Sequence, residues 1–209
     1  MRVQMAGLKN PREVNAQVAF SMESFDGSER LIDESTVSQG FLISMTQIGY
    51  FKEMTVEAQS TVNGATGAYR FEIVPGMKIA YGDVLHITFP PEVLLPSTYY
   101  VECRGSRPVD VSSCLKGNSR EIRITLAEVR DDYDPLDPFY VFVMNCQNPV
   151  SFKPSGLFTG VKLVSRYGND VAKYYSDTLY VETSVKARIE DMRLSQSNLY
   201  PGEEAFYTI

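Results

Sequence analysis

Alternation with a period of two is the strongest constraint on this chain. Tyr69, Phe71 and Ile73 alternate with Arg70, Glu72 and Val74, and Met54, Val56 and Ala58 alternate with Thr55, Glu57 and Gln59. Successive side chains of a strand point to opposite faces, so this spacing predicts half-buried strands and excludes an amphipathic helix. The same reading puts strands at 84–89, 99–103, 121–127, 139–145, 156–165 and 178–185, and at 18–25 and 40–48 near the start. Turn residues bound them: Asp26-Gly27, Gln39-Gly40, Pro75-Gly76 and Pro90-Pro91. Many short strands at close spacing, with no convincing helix between them, predict an all-β chain built as an immunoglobulin-like antiparallel sandwich. With no Trp, and hence no Cys…Trp…Cys core, it is not an antibody-type domain.

The second constraint is internal. Residues 139–158, FYVFVMNCQNPVSFKPSGLF, have a degenerate copy in residues 1–20, MRVQMAGLKNPREVNAQVAF. Without gaps, Val3 falls on Val141, Asn10 and Pro11 on Asn148 and Pro149, and Phe20 on Phe158, an offset of 138. At that offset Met54 meets Met192, Gly64 meets Gly202 and Tyr69 meets Tyr207. Constant spacing of this kind is the signature of a tandem array. The expected organisation is the C-terminal part of one module in 1–52, a complete module in 53–189, and the start of a third in 190–209. No Gly-, Ser- or Pro-rich linker follows Ile48 or Ala187, so the modules are expected to pack end to end at a restricted angle.

Composition narrows the function. Hydrophobic residues make up 44% of the 209 and charged residues 22%, enough apolar surface for a core and too little charge for a disordered segment. The net charge of −6 and the lack of a basic stripe exclude a nucleic-acid partner. The sequence contains neither an apolar run of membrane-spanning length nor a signal-peptide pattern at Met1.

Three cysteines are informative. Cys103 and Cys114 flank the excursion CRGSRPVDVSSC, where Gly105 and Pro108 let the chain double back, so a disulfide between them is expected, and with it an oxidising compartment. Cys146 aligns with Leu8 and is expected to be a small buried hydrophobe.

The order IVPGMKIAYGDVLHITFP, then a cysteine pair, then FYVFVMNCQNP and SGLF, resembles the immunoglobulin-like modules repeated in very large cell-surface and secreted proteins of ciliates and other protists. GLKNP followed by AFSMESFDGSERLID is similar to the same module's ending, where Asn-Pro precedes an exposed strand and a Gly turn. The resemblance implies an extracellular array, at a cell or ciliary surface, and no catalytic residues.

Catalytic chemistry has few starting points. His86 is the only imidazole available as a general base, and in VLHITF it shares a face with Val84 and Thr88, as a partly exposed strand residue would. No phosphate loop, CxxC or HExxH motif is present, so no enzymatic activity is expected. The one concentrated polar feature is RDDYDPLDP, which places Asp131, Asp132, Asp134 and Asp137 on a Pro-braced loop. Hard cations take several closely spaced oxygens, so this loop is a candidate calcium site; its alternative is a solvated acidic turn. No other cofactor is implied. The expected function is a structural repeat of a long extracellular filament or surface coat. Its partners would be neighbouring modules, other copies or other filament proteins. The alternative is an adhesion module that recognises a glycan or protein through loops carrying Tyr99-Tyr100 or Tyr174-Tyr175.

Overall fold

The computed structural model describes residues 10–14, 17–20, 23–34, 41–44, 47–130, 133–151, 153–175, 178–186, 195–197 and 207–208. All regular structure among them is β: β1 (Gln17–Phe20), β2 (Glu23–Phe25), β3 (Leu31–Glu34), β4 (Phe41–Ser44), β5 (Gly49–Tyr50), β6 (Glu53–Ala58), β7 (Thr66–Val74), β8 (Val84–Thr88), β9 (Cys103–Gly105), β10 (Val109–Lys116), β11 (Glu121–Val129), β12 (Phe139–Gln147), β13 (Lys162–Val164), β14 (Asp170–Lys173), β15 (Ser195–Gln196) and β16 (Tyr207–Thr208).

Strands β5 to β14 make an immunoglobulin-like sandwich. One sheet runs β6-β7-β12-β9 and the other β10-β11-β8-β13-β14-β5. The alternating faces meet between them. Tyr69, Phe71, Ile73, Phe139, Val141 and Val143 of the first sheet are buried against Leu85, Ile87, Ile122, Ile124 and Leu126 of the second. In place of a core tryptophan, Phe71, Phe89 and Phe158 form a cluster of edge-to-face rings with centroids 5.1 to 5.7 Å apart, and Tyr69 extends it.

Pairing is antiparallel with two exceptions. β5 runs parallel to β14, matching Gly49 to Ala172 and Tyr50 to Lys173, and Val62 bridges Val185 in parallel. Glycine at 49 has a steric reason: a Cβ there would stand 2.9 Å from the Val171 carbonyl oxygen. The segment 99–105 also departs from the expected single strand. Tyr100 bridges Leu115 of the larger sheet, whereas Cys103 to Gly105 pair with β12 of the smaller one, so the chain changes sheets at Glu102. Among the described strands, β3, β5, β10, β14, β15 and β16 were not expected from alternation, and 178–185, expected as a strand, holds only the Val185 bridge. β10 lies inside the cysteine excursion, where bulges break its register, and β14 closes a hairpin with β13.

The hairpins have related registers. β13 and β14 pair Lys162 with Lys173, Leu163 with Ala172 and Val164 with Asp170. β2 and β3 pair Glu23 with Glu34, Ser24 with Asp33 and Phe25 with Leu31, the same ladder and the same bulge displaced by 139 residues. The turns match too. Asp26 accepts the Ser28 and Arg30 amides on Oδ1 at 2.8 and 2.9 Å, and Ser165 Oγ accepts those of Tyr167 and Asn169, both at 3.3 Å. Glu29 takes the left-handed conformation, φ 60°, that Gly168 takes at 86°.

Candidate functional site

The Asn-Pro motif of the internal repeat has a defined place in the sandwich. Asn148 follows β12 and is 2% exposed. Its Oδ1 accepts the Tyr69 hydroxyl at 2.8 Å, and its Nδ2 donates to the Ser60 and Val62 carbonyls at 2.7 and 2.8 Å. Its backbone N–H donates to Ala65 O, and Gly64 N–H donates to Pro149 O. A buried amide with all these partners joins three segments at one end of the sandwich, so the motif is a structural hub. Desolvation, with a smaller contribution from nearby Cys146, pushes the Tyr69 hydroxyl well above the usual tyrosine range and keeps it a donor.

Cys103 and Cys114 are joined, with an S–S distance of 2.01 Å and Cα atoms 5.8 Å apart. Because β9 and β10 belong to different sheets, the bond links the two layers where the chain changes sheets. That is a different role from closing a surface excursion. Cys146 is single and fully buried, and burial pushes its thiol up to about 12.

Of the four candidate calcium ligands, Asp131 and Asp132 lie outside the described residues. Asp134 and Asp137 are exposed. Asp134 Oδ1 accepts the Leu136 N–H at 2.9 Å, its carbonyl accepts the Asp137 N–H, and the Tyr133 hydroxyl donates to the Asp137 carbonyl. Among the described residues, three or more His, Cys, Asp or Glu side chains nowhere converge on a point that could hold a metal ion.

The outer face of the larger sheet is the most concentrated arrangement of polar groups. Register places Arg123, His86, Lys162 and Lys173 in one row across β11, β8, β13 and β14. Adjacent cations on a sheet repel, and two carboxylates offset this. Glu121 lies 2.8 Å from His86 Nδ1 and 2.9 Å from Arg123 Nε, and Asp170 lies 3.7 Å from both lysine amines. Desolvation lowers the His86 pKa despite the opposing bond to Glu121, so at neutral pH the ring is neutral and Nδ1–H donates to the carboxylate. Burial raises the Glu121 pKa, but the hydrogen bonds from Arg123 and His86 and the charge of Arg123 outweigh it and the net shift is downward.

With Thr88, Thr159, Tyr174 and Tyr175, the four residues of the row and Glu121 line an open cleft of about 420 Å³. Of the tyrosines singled out from sequence, Tyr175 is 76% exposed at this cleft, whereas the Tyr174 hydroxyl donates to the Met54 carbonyl and is structural. Tyr99 and Tyr100 stack edge to face at 5.2 Å, both exposed. They flank β10 at the far edge of the same sheet. Sequence reading treated His86 in isolation and missed the row. Its residues are dispersed from position 86 to position 173, and only strand register brings them together. Among the described residues, no helix is long and apolar enough to cross a membrane.

No protein-family model matches the sequence, and comparison with curated proteins finds no match. Two solved structures share a β-sandwich likeness. One is the second type II cohesin module from the adaptor ScaA scaffoldin of Acetivibrio cellulolyticus, 11% identical with a TM-score of 0.38, the match covering 70% of this chain and 96% of that one. The other is a non-cellulosomal cohesin from the hyperthermophilic archaeon Archaeoglobus fulgidus, 14% identical with a TM-score of 0.33, covering 60% and 94%. At those values neither says what this chain binds.

Proposed function

We propose that the chain is a structural repeat of a long extracellular filament or surface coat, its sandwich modules arranged in tandem. The repeated hairpin register carries this reading: the β2–β3 ladder, bulge and turn recur 139 residues later in β13–β14. Two further pairs agree. Ser195 and Gln196 pair with Thr208 and Tyr207 as Glu57 and Ala58 pair with Arg70 and Tyr69, displaced by 138. Phe20 pairs with Phe41, and at the same displacement Phe158 N–H donates to Leu179 O at 2.9 Å. The displacement is 138 at Phe158, 139 from Lys162 to Lys173 and 138 again at Leu179, so one residue is gained between Phe158 and Lys162 and one is lost between Lys173 and Leu179, which an ungapped comparison cannot see. The disulfide supports an oxidising, extracellular setting. On the same reading the chain is not an enzyme, and calcium at the acidic loop would serve rigidity alone. Reading the gene on either side of these 209 residues tests the array: further copies at 138 to 139 residues are expected, and their absence on both sides refutes it.

A second reading, an adhesion module, draws on the cationic row and the exposed Tyr175. Together they suit an acidic glycan or protein that stacks a ring on tyrosine. Binding to a glycan array that Tyr175→Ala abolishes would favour it over the filament.

A further inference from the structure

Asp83 is an acidic side chain with no exposed surface, and its charge is met from far away in the sequence. It ends the turn before β8. Asp83 Oδ2 accepts the Ala80 N–H at 2.9 Å, its N–H donates to Ala80 O, and its carbonyl accepts the Leu126 N–H, while Gly82 N–H donates to Leu126 O. The turn is therefore stitched to β11 and holds the carboxylate in a fixed direction. Arg12 supplies the countercharge, with one guanidinium nitrogen on Oδ2 and the other 3.0 Å from Oδ1. Next to it Glu13 accepts the Asn169 side-chain amide at 3.0 Å, and Val14 N–H donates to the Asp170 carbonyl at 3.0 Å. Residues 10–14 precede β1 to β4, whose pairings all lie outside the sandwich sheets, yet they are seated on two turns of the sandwich.

We propose that Asp83 is a receptor for the guanidinium of the unit preceding the sandwich, and that residues 12–14 act as a plug fixing the angle between the two units. A buried carboxylate left without its partner is strongly unfavourable, so the plug also holds the sandwich turn in place. A bidentate Arg–carboxylate pair fixes orientation as well as distance, and its partial burial protects it from salt screening. Under the tandem reading, on which this last step alone rests, Arg12 corresponds to Val150. That side chain cannot pair with a carboxylate, and it is 72% exposed. Junctions along the array then differ in strength, and the one before this sandwich is the stiff one.

The test uses the whole chain with spin labels at Ser28→Cys and Ser119→Cys, both exposed, the disulfide kept oxidised and Cys146 protected by burial. Pulsed electron resonance reads the distance distribution between the units, and hydrogen exchange reads the Gly82 and Leu126 amides. Arg12→Met is expected to broaden the distribution at least about twofold and to raise exchange at those amides about tenfold or more, since the lone charge loosens the turn. Asp83→Asn keeps an acceptor for Ala80, so it broadens the distribution while leaving exchange within about threefold. The double variant is expected to recover the protection lost in Arg12→Met without recovering the narrow distribution, the non-additivity that a shared contact produces. An unchanged distribution in Arg12→Met overturns the plug, as does exchange that the second substitution fails to rescue. Both results leave the repeat reading standing, because that is decided separately, by whether the gene carries further copies on either side and by whether the β2–β3 hairpin is present in the wild-type chain by backbone chemical shifts.

Discussion

Replacing Asn148 with Ala removes a side chain that makes three hydrogen bonds: one accepted from Tyr69 and two donated to Ser60 and Val62. A typical intramolecular hydrogen bond contributes about 1 kcal/mol net, and a buried partner left unsatisfied costs about 1–3 kcal/mol. Tyr69 is fully buried, so its hydroxyl suffers the full loss. The Ser60 and Val62 carbonyls belong to half-exposed residues that water can reach, so each loses less. The sum is roughly 3–5 kcal/mol, a large share of a domain stability of about 5–15 kcal/mol. Tyr69→Phe deletes only the shared bond and leaves Asn148 Oδ1 open, at about 1–2 kcal/mol. The two sites share a partner, so the double variant should cost about 1 kcal/mol less than the sum of the singles. Urea unfolding followed by far-UV circular dichroism, with the disulfide oxidised throughout, measures all three. Additive losses, or an Asn148→Ala cost below about 1 kcal/mol, would mean that the motif is not the hub described.

Three other outcomes are expected. Reducing the Cys103–Cys114 bond, or replacing both with Ser, should lower stability by about 3 kcal/mol for a loop of this length, seen as a fall in Tm under reductant that the double variant does not show. Native protein should resist thiol alkylation at Cys146, whose pKa near 12 leaves almost no thiolate at pH 8; stoichiometric labelling without denaturant contradicts its burial. His86 has a folded pKa below its ordinary value, so the native state binds fewer protons there than the unfolded chain. That contribution is intact above about pH 6.5 and is lost as pH falls through the folded value, so His86→Gln should flatten the stability curve below pH 6.5; an unaltered slope would refute the assignment.

Much of the sandwich was legible because long strands buried on one face must alternate. β7, β8, β11 and β12 are such strands, each with buried residues at every second position along most of its length. β10 was hidden because two register shifts interrupt its alternation, and β14 because four residues with two adjacent buried positions show no period. The parallel β5–β14 pair has no local signal at all: two residues meet two others more than 120 positions away. The paired cysteines could be read from their spacing, but not that they join different sheets, since that depends on where Tyr99 to Gly105 crosses over. Asn148 carried a signal, its recurrence at Asn10, whose meaning required Tyr69 on another strand.

Strand β5 also answers a problem of colloidal behaviour. An uncovered outer strand is a template for stray pairing with any extended chain, and proteins that work at high local density must blunt such templates. β14 has β13 on one side and Gly49 and Tyr50 on the other, with Phe51 N–H donating to the Lys173 carbonyl just beyond. The residues that lead into the sandwich therefore also cap its exposed border, and the cap is synthesised more than 100 residues before the strand it covers. Any nick or deletion near Gly49 should bare the edge of β14 and make the sandwich prone to stray pairing without disturbing its core.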